Sequence, residues 1–313
     1  MTSAVASPLA QLGGRRLLVT GGTGFVGQHV VRLALSAGAE VHVLGRRAPG
    51  ETNASFHVAD MADTGTVRRA VREVRPDGII HLAAAGVAYG SSDAAELRRI
   101  NTTGLTGLLE AATWLSVPPA VVCVGSGFEY APAERPLRED DPIRPNSDYG
   151  ASKAAAFTVA AEFGARLPLT WVRLFSLYGP GEREPRLAPY VIECVRRGQP
   201  VELTTGEQVR DYTSVLDAAE ALLRALVQPP AREMRVVNFA SESVVTLREF
   251  VQVLADQLSV HGLCPVLKFG AKPYRPNEMM HYSADIERWK SLFGWQAQRT
   301  LAQGLSEMLQ SAS

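Results

Sequence analysis

Tyr149 and Lys153 stand four residues apart in DYGASK, where a stretch with helical spacing begins. On a helix that spacing puts both side chains on one face, one turn apart. A phenol can give or take a proton, yet its ordinary pKa of about 10 is too high for efficient exchange at neutral pH. An ammonium close by favours the phenolate and draws that pKa toward the working range. Taken alone, Tyr-x-x-x-Lys also occurs in ordinary helices, so the surrounding elements must decide its meaning.

A second stretch, LLVTGGTGFVG, runs from an apolar strand straight into a helical pattern. Gly21, Gly24 and Gly27 have the spacing GxxGxxG, while Gly22, Gly24 and Gly27 satisfy GxGxxG. Such glycines serve a tight turn, close backbone approach to a diphosphate and helix-on-strand packing. The diphosphate would lie at the helix N-terminus, where free N–H groups and the dipole favour an anion. An NAD site carries an acid about 20 residues on, bonding the ribose 2′-hydroxyl. Here the second strand ends VLGRR, so Gly45 takes the acidic position and Arg46 and Arg47 follow. Guanidinium forks suit a 2′-phosphate, which reads as NADP (as NADPH) in preference to NAD. Glu51, if the loop folds back, is the residue that argues for NAD.

The elements that must position these groups are legible as alternation. RLLVT (16–20), EVHVL (40–44), GIIHL (78–82), AVVCV (120–124) and LTWVRL (169–174) read as buried strands. Gly24–Ala37, Thr66–Val74, Ala94–Leu115 and Tyr149–Ala165 carry apolar residues at helical spacing between them. The expected fold is α/β, a Rossmann-type doubly wound parallel sheet with a smaller C-terminal substrate-binding domain. Residues 1–178 form the dinucleotide-binding domain, to which 210–240 return, and 179–209 with 241–313 form the smaller one. Later expected elements are helices near Pro189–Arg197, Val215–Leu226 and Thr246–Leu258, strands at 201–203, 234–240 and 266–269, and two short C-terminal helices. The 313 residues, 46% of them hydrophobic, suffice for such a core. With 32 basic and 32 acidic residues and no run of either sign, nothing suggests a nucleic-acid or polybasic membrane partner. Cys123, Cys194 and Cys264 form no CxxC pair or Cys/His cluster, so neither a disulfide framework nor a metal site is expected. The first residues lack a secretory signal and no apolar run spans a membrane, which points to a cytoplasmic protein.

In order and distance these motifs resemble the extended short-chain dehydrogenase/reductases of the nucleotide-sugar epimerase, dehydratase and ketoreductase group, over essentially the whole chain. TGGTGFVG is similar to that family's phosphate loop, which implies cofactor contacts from Gly21, Thr23, Gly24, Phe25, Val26 and Gly27. VADMAD resembles the adenine-contacting segment, here Asp60 and Met61. HLAAAG resembles the strand end over the cofactor's middle, here Leu82, Ala83 and Ala84. Asn101 in RRINTTG resembles the active-site-helix asparagine. The resemblance completes a triad, with Ser126 of GSGFEYA holding a sugar oxygen beside Tyr149, and Lys153 also bonding the nicotinamide ribose. Arg210 in VRDYTS and Arg275 in YRPNE match arginines that clamp the diphosphate of a sugar nucleotide. Ser176 stands where the family usually has Asn before YGPG, as a substrate contact.

Members that resemble 4,6-dehydratases carry an Asp–Glu pair directly after the Ser or Thr, and 3,5-epimerase/reductases carry a Cys two places on. Here those positions are Gly127 and Phe128, while Glu129 is one further and should point away. What remains is hydride transfer at one carbon. With GRR after the second strand, the expected activity is NADPH-dependent reduction of an NDP-4-keto-6-deoxy sugar. Two alternatives stand beside it: an NAD(P)-dependent UDP-sugar 4-epimerase, and a non-catalytic dinucleotide sensor on the same fold. The resemblance also implies a homodimer through a four-helix bundle. The helix Ala94–Leu115, with Leu97, Ile100, Leu105, Leu108, Leu109 and Ala112, carries more apolar positions than one face needs.

Overall fold

Strand residues that are apolar on both faces need helices above and below them, and the molecule supplies both. The computed structural model describes residues 7–48, 52–86, 93–231, 233–276 and 278–311; Glu51 lies outside them. In chain order the strands are β1 (Arg16–Thr20), β2 (Glu40–Gly45), β3 (Ser55–Val58), β4 (Gly78–His81), β5 (Ala120–Ser126) and β6 (Leu169–Leu174). There follow β7 (Ser176–Tyr178), β8 (Val201–Leu203), β9 (Val209–Ser214), β10 (Arg235–Phe239), β11 (Val244–Thr246), β12 (Leu267–Phe269) and β13 (His281–Tyr282).

Seven of these form one parallel sheet in the order β10-β6-β5-β4-β1-β2-β3. The helices are α1 (Gly27–Ser36), α2 (Thr64–Val74), α3 (Ala94–Arg98), α4 (Leu105–Thr113), α5 (Asp148–Phe163), α6 (Leu187–Arg196) and α7 (Val215–Val227). After them come α8 (Leu247–Val260), α9 (Glu287–Phe293) and α10 (Leu301–Ser311). Residues of α1 and α7 share a buried cluster with Leu17, Val19 and Ile80 on one face of the sheet. Residues of α2, α4 and α5 share another with Leu18, Ile79 and Cys123 on the opposite face. The sheet is therefore doubly wound, a Rossmann-like arrangement. From β1 the chain moves outward through β2 and β3, then returns to β4 on the other side. The order reverses between β1 and β4, and ligands of such sheets bind beyond the carboxyl ends of the strands at that switch point.

The later part of the chain builds smaller pieces. β9 pairs with β7, β11 and β13, β8 pairs with β12, and a third cluster joins Val191, Phe250, Leu254 and Leu305 from α6, α8 and α10.

Several elements differ from the sequence expectation. β3, an edge strand with a half-exposed SFHV sequence, gives no apolar run to detect. The first helix begins at Gly27, because residues 21–26 form the loop that precedes it. The stretch expected as one helix from Ala94 is α3, then a π-helical turn at Arg99–Gly104, then α4. All six apolar residues named there are 8% exposed or less within the single chain. α2 packs on one side of α4 and α5 on the other, so their apolar surplus is spent inside the monomer. Among the described residues, no helix is long and apolar enough to cross a membrane.

Candidate functional site

The glycine loop joins β1 to α1 directly above the switch point. Gly21 has φ of +70°, and a Cβ there would lie 2.7 Å from the backbone nitrogen of Ala83. At Gly27 a Cβ would lie 2.1 Å from the Gly21 carbonyl oxygen. Only glycine allows the loop to close this far against the β4 segment and its own first turn. No side chain caps the start of α1; Gln28 and His29 N–H already bond the Gly24 and Val26 carbonyls, which leaves the N–H groups of the loop's last residues and of Gly27 to meet a phosphate. Thr23 and Gly24 are exposed at the loop tip, while Phe25 and Val26 are half-buried. This cradle fits a dinucleotide diphosphate.

Neighbouring loops shape its walls. Thr20 receives the Ala83 N–H on its hydroxyl at 3.3 Å and meets the Nδ1 of His81 at 2.8 Å, which fixes the start of the Leu82–Ala84 segment. Burial, aided by the Lys153 charge, pushes His81 down to about 3, so the imidazole stays neutral. Asn101, in the π-helical turn, accepts from Ala85 N–H at 2.8 Å and donates to the Ala85 carbonyl and to the Ser152 hydroxyl. Its amide is committed to joining that segment to α5, a setting in which π turns recur. Asp60 accepts from Ala62 N–H at 2.9 Å, and Met61 is buried beneath it against Gly104. Arg46 and Arg47 are exposed at the end of β2, and neither forms an ion pair among the described residues.

The structure brings Ser126, Tyr149 and Lys153 together. Ser126 ends β5, with its side chain accepting from Phe128 N–H at 3.2 Å and only 6% exposed. Tyr149 sits in the first turn of α5, which Ser147 caps by accepting from Gly150 N–H. Burial first, then the Glu129 carboxylate, pushes the Tyr149 phenol up to about 12. The Arg186 guanidinium and the Ser126 hydroxyl beside it oppose that rise. The buried Lys153 ammonium donates to the Val124 carbonyl at 2.8 Å, and burial lowers its own pKa against the pull of Glu129. Glu129 points away from the cleft as expected, fully buried beneath Ser126. Gly127 and Phe128 hold the positions where a dehydratase would place its acid and base.

Of the proposed substrate contacts, Arg210 reaches the floor of this region. It donates to Glu278 at 2.8 Å, and its guanidinium stands 6.0 Å from the Tyr282 ring. Ser176 is half-buried on β7, opposite Tyr212 of β9. Arg275 lies exposed in the turn whose Glu278 N–H bonds the Arg275 carbonyl. Sequence reasoning missed Tyr282, which stacks on Phe128 at 4.5 Å, and Arg186 of the loop after β7. Their distance along the chain from the triad leaves no local signal. Ser152, inside DYGASK, could have been found, since it stands beside Lys153 and bonds Tyr149's carbonyl.

Residues 17–240 match the NAD dependent epimerase/dehydratase family. The chain is 28% identical over 306 residues to dTDP-6-deoxy-L-talose 4-dehydrogenase (NAD(P)(+)) of Kitasatospora kifunensis, covering 94% of each chain. It is 30% identical to MoeE5 in complex with UDP-glucuronic acid and NAD, with TM-score 0.84 over 95% of this chain and 98% of that one. Against UDP-glucose 4-epimerase of Thermus thermophilus complexed with NAD, identity is 30% and TM-score 0.82, over 95% and 98% of the two chains.

Proposed function

The chain belongs to the NAD dependent epimerase/dehydratase family, and from that premise we propose that it reduces the 4-keto group of an NDP-4-keto-6-deoxy sugar with NADPH. At the coarser level it is an NAD(P)-dependent enzyme that modifies nucleotide sugars. The observation that carries the finer reading is Arg46 and Arg47 exposed at the end of β2, where Gly45 stands in place of the acid of an NAD site, with Gly127 and Phe128 leaving no second acid–base pair beside Ser126 and Tyr149.

Gly21 to Gly27 would hold the diphosphate, Asp60 and Met61 the adenine, and Arg46 and Arg47 a 2′-phosphate. When bound, a reduced nicotinamide supplies the hydride that reaches C4. Ser126 donates a hydrogen bond to the keto oxygen and fixes its position. Tyr149 then gives its phenolic proton to that oxygen, completing the alcohol, and regains one from solvent. Lys153 holds the end of β5 to the Tyr149 turn and presents positive charge to the phenolate formed transiently. Arg210 and Arg275 would draw the diphosphate so that the sugar stays against Ser126. In this reading 1–178 with 210–240 bind the cofactor, and 179–209 with 241–313 bind the sugar nucleotide.

The Kitasatospora relative named as a 4-dehydrogenase supports it, since that reaction run backward is a 4-keto reduction. A UDP-sugar 4-epimerase is the second reading, favoured by the likeness to an epimerase complexed with NAD. The triad itself speaks against a mere sensor, which has no use for a proton donor. A cytoplasmic homodimer joined through α3, α4 and α5 belongs to the same proposal. The outer faces there carry Thr103, Ala151, Ala155 and Thr158, small residues that permit close approach. Stoichiometric NADPH consumption on mixing with an NDP-4-keto-6-deoxy sugar is the expected result. Conversion of a UDP-sugar to its 4-epimer with no net cofactor change would replace it by the second reading.

A further inference from the structure

A carboxylate with no exposed surface lies directly beneath the three reacting side chains, and the proton transfer just described makes no use of it. Glu129 ends the short 3₁₀ turn after β5. One of its oxygens accepts the backbone N–H of Ser126 at 2.7 Å, and the other accepts Arg173 Nε at 2.6 Å. Trp171 Nε1 donates to both oxygens, at 3.2 and 3.3 Å. Burial pushes the Glu129 carboxyl up and the Arg173 guanidinium opposes that rise; every one of these partners is a donor, so a proton on the acid would have no acceptor, and the group is a carboxylate. Arg173, on β6, is 1% exposed. It passes the network on to the Tyr130 hydroxyl at 2.8 Å, and Tyr130 donates to Asn238 of β10 at 2.7 Å.

The Ser126–Glu129 contact also caps the 3₁₀ turn, but a buried ion pair is weak evidence for a purely stabilising role, because packed apolar residues often replace one at little cost. The geometry accounts for the arrangement better. The Ser126 amide is held from below at the residue whose hydroxyl must meet the substrate, and the negative charge faces both Lys153 and Tyr149. We propose that Glu129, paired with Arg173, is a positioning residue of the reaction: it fixes the Ser126 backbone and lays the counter-charge beneath the Lys153 ammonium and the Tyr149 phenol. This rests on the reading that Ser126, Tyr149 and Lys153 carry the proton transfer.

The groups facing each member are few. Lys153 meets Glu129, Cys123 and His81; Tyr149 meets Glu129, Arg186, Ser126 and Tyr282; Glu129 meets Arg173, Lys153, Tyr130, Tyr149 and Tyr282. Glu129 is the carboxylate common to Lys153 and Tyr149. Removing it withdraws the charge that favours the ammonium and disfavours the phenolate, so both side chains should lose their protons at lower pH.

Lys153 is one of four lysines in the chain, which makes its titration readable by NMR on protein with ¹³C-labelled lysine, assigned by the signal missing in Lys153→Met. Two variants are compared with the unmodified protein. Glu129→Gln keeps shape and a carbonyl acceptor, and the double change Glu129→Val with Arg173→Met removes both charges and preserves packing should the single variant fold poorly. The expected result is a Lys153 titration displaced to lower pH by at least half a pH unit, with turnover reduced about ten-fold or more and its alkaline limb moved the same way. A folded variant with the Lys153 titration and the rate profile both unmoved overturns the proposal. The NMR titration needs no substrate, so it stands or falls independently of whether the unmodified protein reduces a 4-keto sugar.

Discussion

The Lys153 ammonium donates to the carbonyl of Val124 at 2.8 Å, two residues before the strand ends in Ser126. That bond ties the first turns of α5, where Tyr149 stands, to the end of β5. The three side chains are thus positioned by backbone contacts as much as by one another.

Tyr149→Phe removes the proton donor and leaves the ring packed at 6.4 Å from Phe128. Turnover should fall about 10²–10⁴-fold, the usual range for a lost general acid, while cofactor affinity measured by fluorescence titration stays within a few-fold. An unmutated rate in this variant would take Tyr149 out of the mechanism.

Arg46 and Arg47 project from the end of β2 with no ion-pair partner among the described residues, so replacing both with Ala breaks no ion pair among those residues. NADPH should bind the unmodified protein more tightly than NADH. The double variant should lose most of that preference, about ten-fold or more from charge-assisted bonds of roughly 1.5–3 kcal/mol each. Equal affinities in the unmodified protein would contradict the assignment and favour the epimerase.

Gly27→Ala places a methyl group 2.1 Å from the Gly21 carbonyl. The loop must open to accept it, at about 1–3 kcal/mol, and the diphosphate cradle opens with it. Calorimetric titration should show dinucleotide affinity reduced by ten-fold or more. Unchanged affinity would mean that this loop does not hold the cofactor.

His81 supplies a pH dependence of stability. Its folded pKa of about 3 lies below the ordinary value of 6.5, because burial disfavours the charged ring. A depressed pKa contributes stability above the unfolded value and loses it as pH falls toward the folded one. Urea unfolding should therefore weaken between pH 6.5 and 3, by on the order of 4 kcal/mol from this residue. His81→Asn should remove that share of the slope, and an identical slope in the variant would refute it.

Light scattering should give a mass near twice the 33.7 kDa of one chain. Ala155→Glu, on the outer face of α5, should return the mass to that of a monomer. A mass of one chain for the unmodified protein would dismiss the dimer. Leu108, by contrast, is fully buried within the chain, and charging it would test folding and not assembly.

What the sequence determined by itself was whatever depends on neighbours close in the chain. The parallel strands showed as buried runs such as GIIH and LTWVRL. The glycine loop showed because its glycines lie within seven residues, and Tyr149 and Lys153 because a helix converts a spacing of four into one face. Tertiary structure alone decided the rest. β3 is an edge strand, half-exposed and without the apolar signal of its neighbours. The apolar surplus of the Ala94 region has its use between α2 and α5, a fact that no periodicity within that helix records. Tyr282 reaches Phe128 from 154 residues along the chain, and the upward push on the Tyr149 phenol comes from burial and from Glu129, a residue of another element. Burial is a property of the assembled core, and electrostatic fields act through space, so neither is written in the order of the residues.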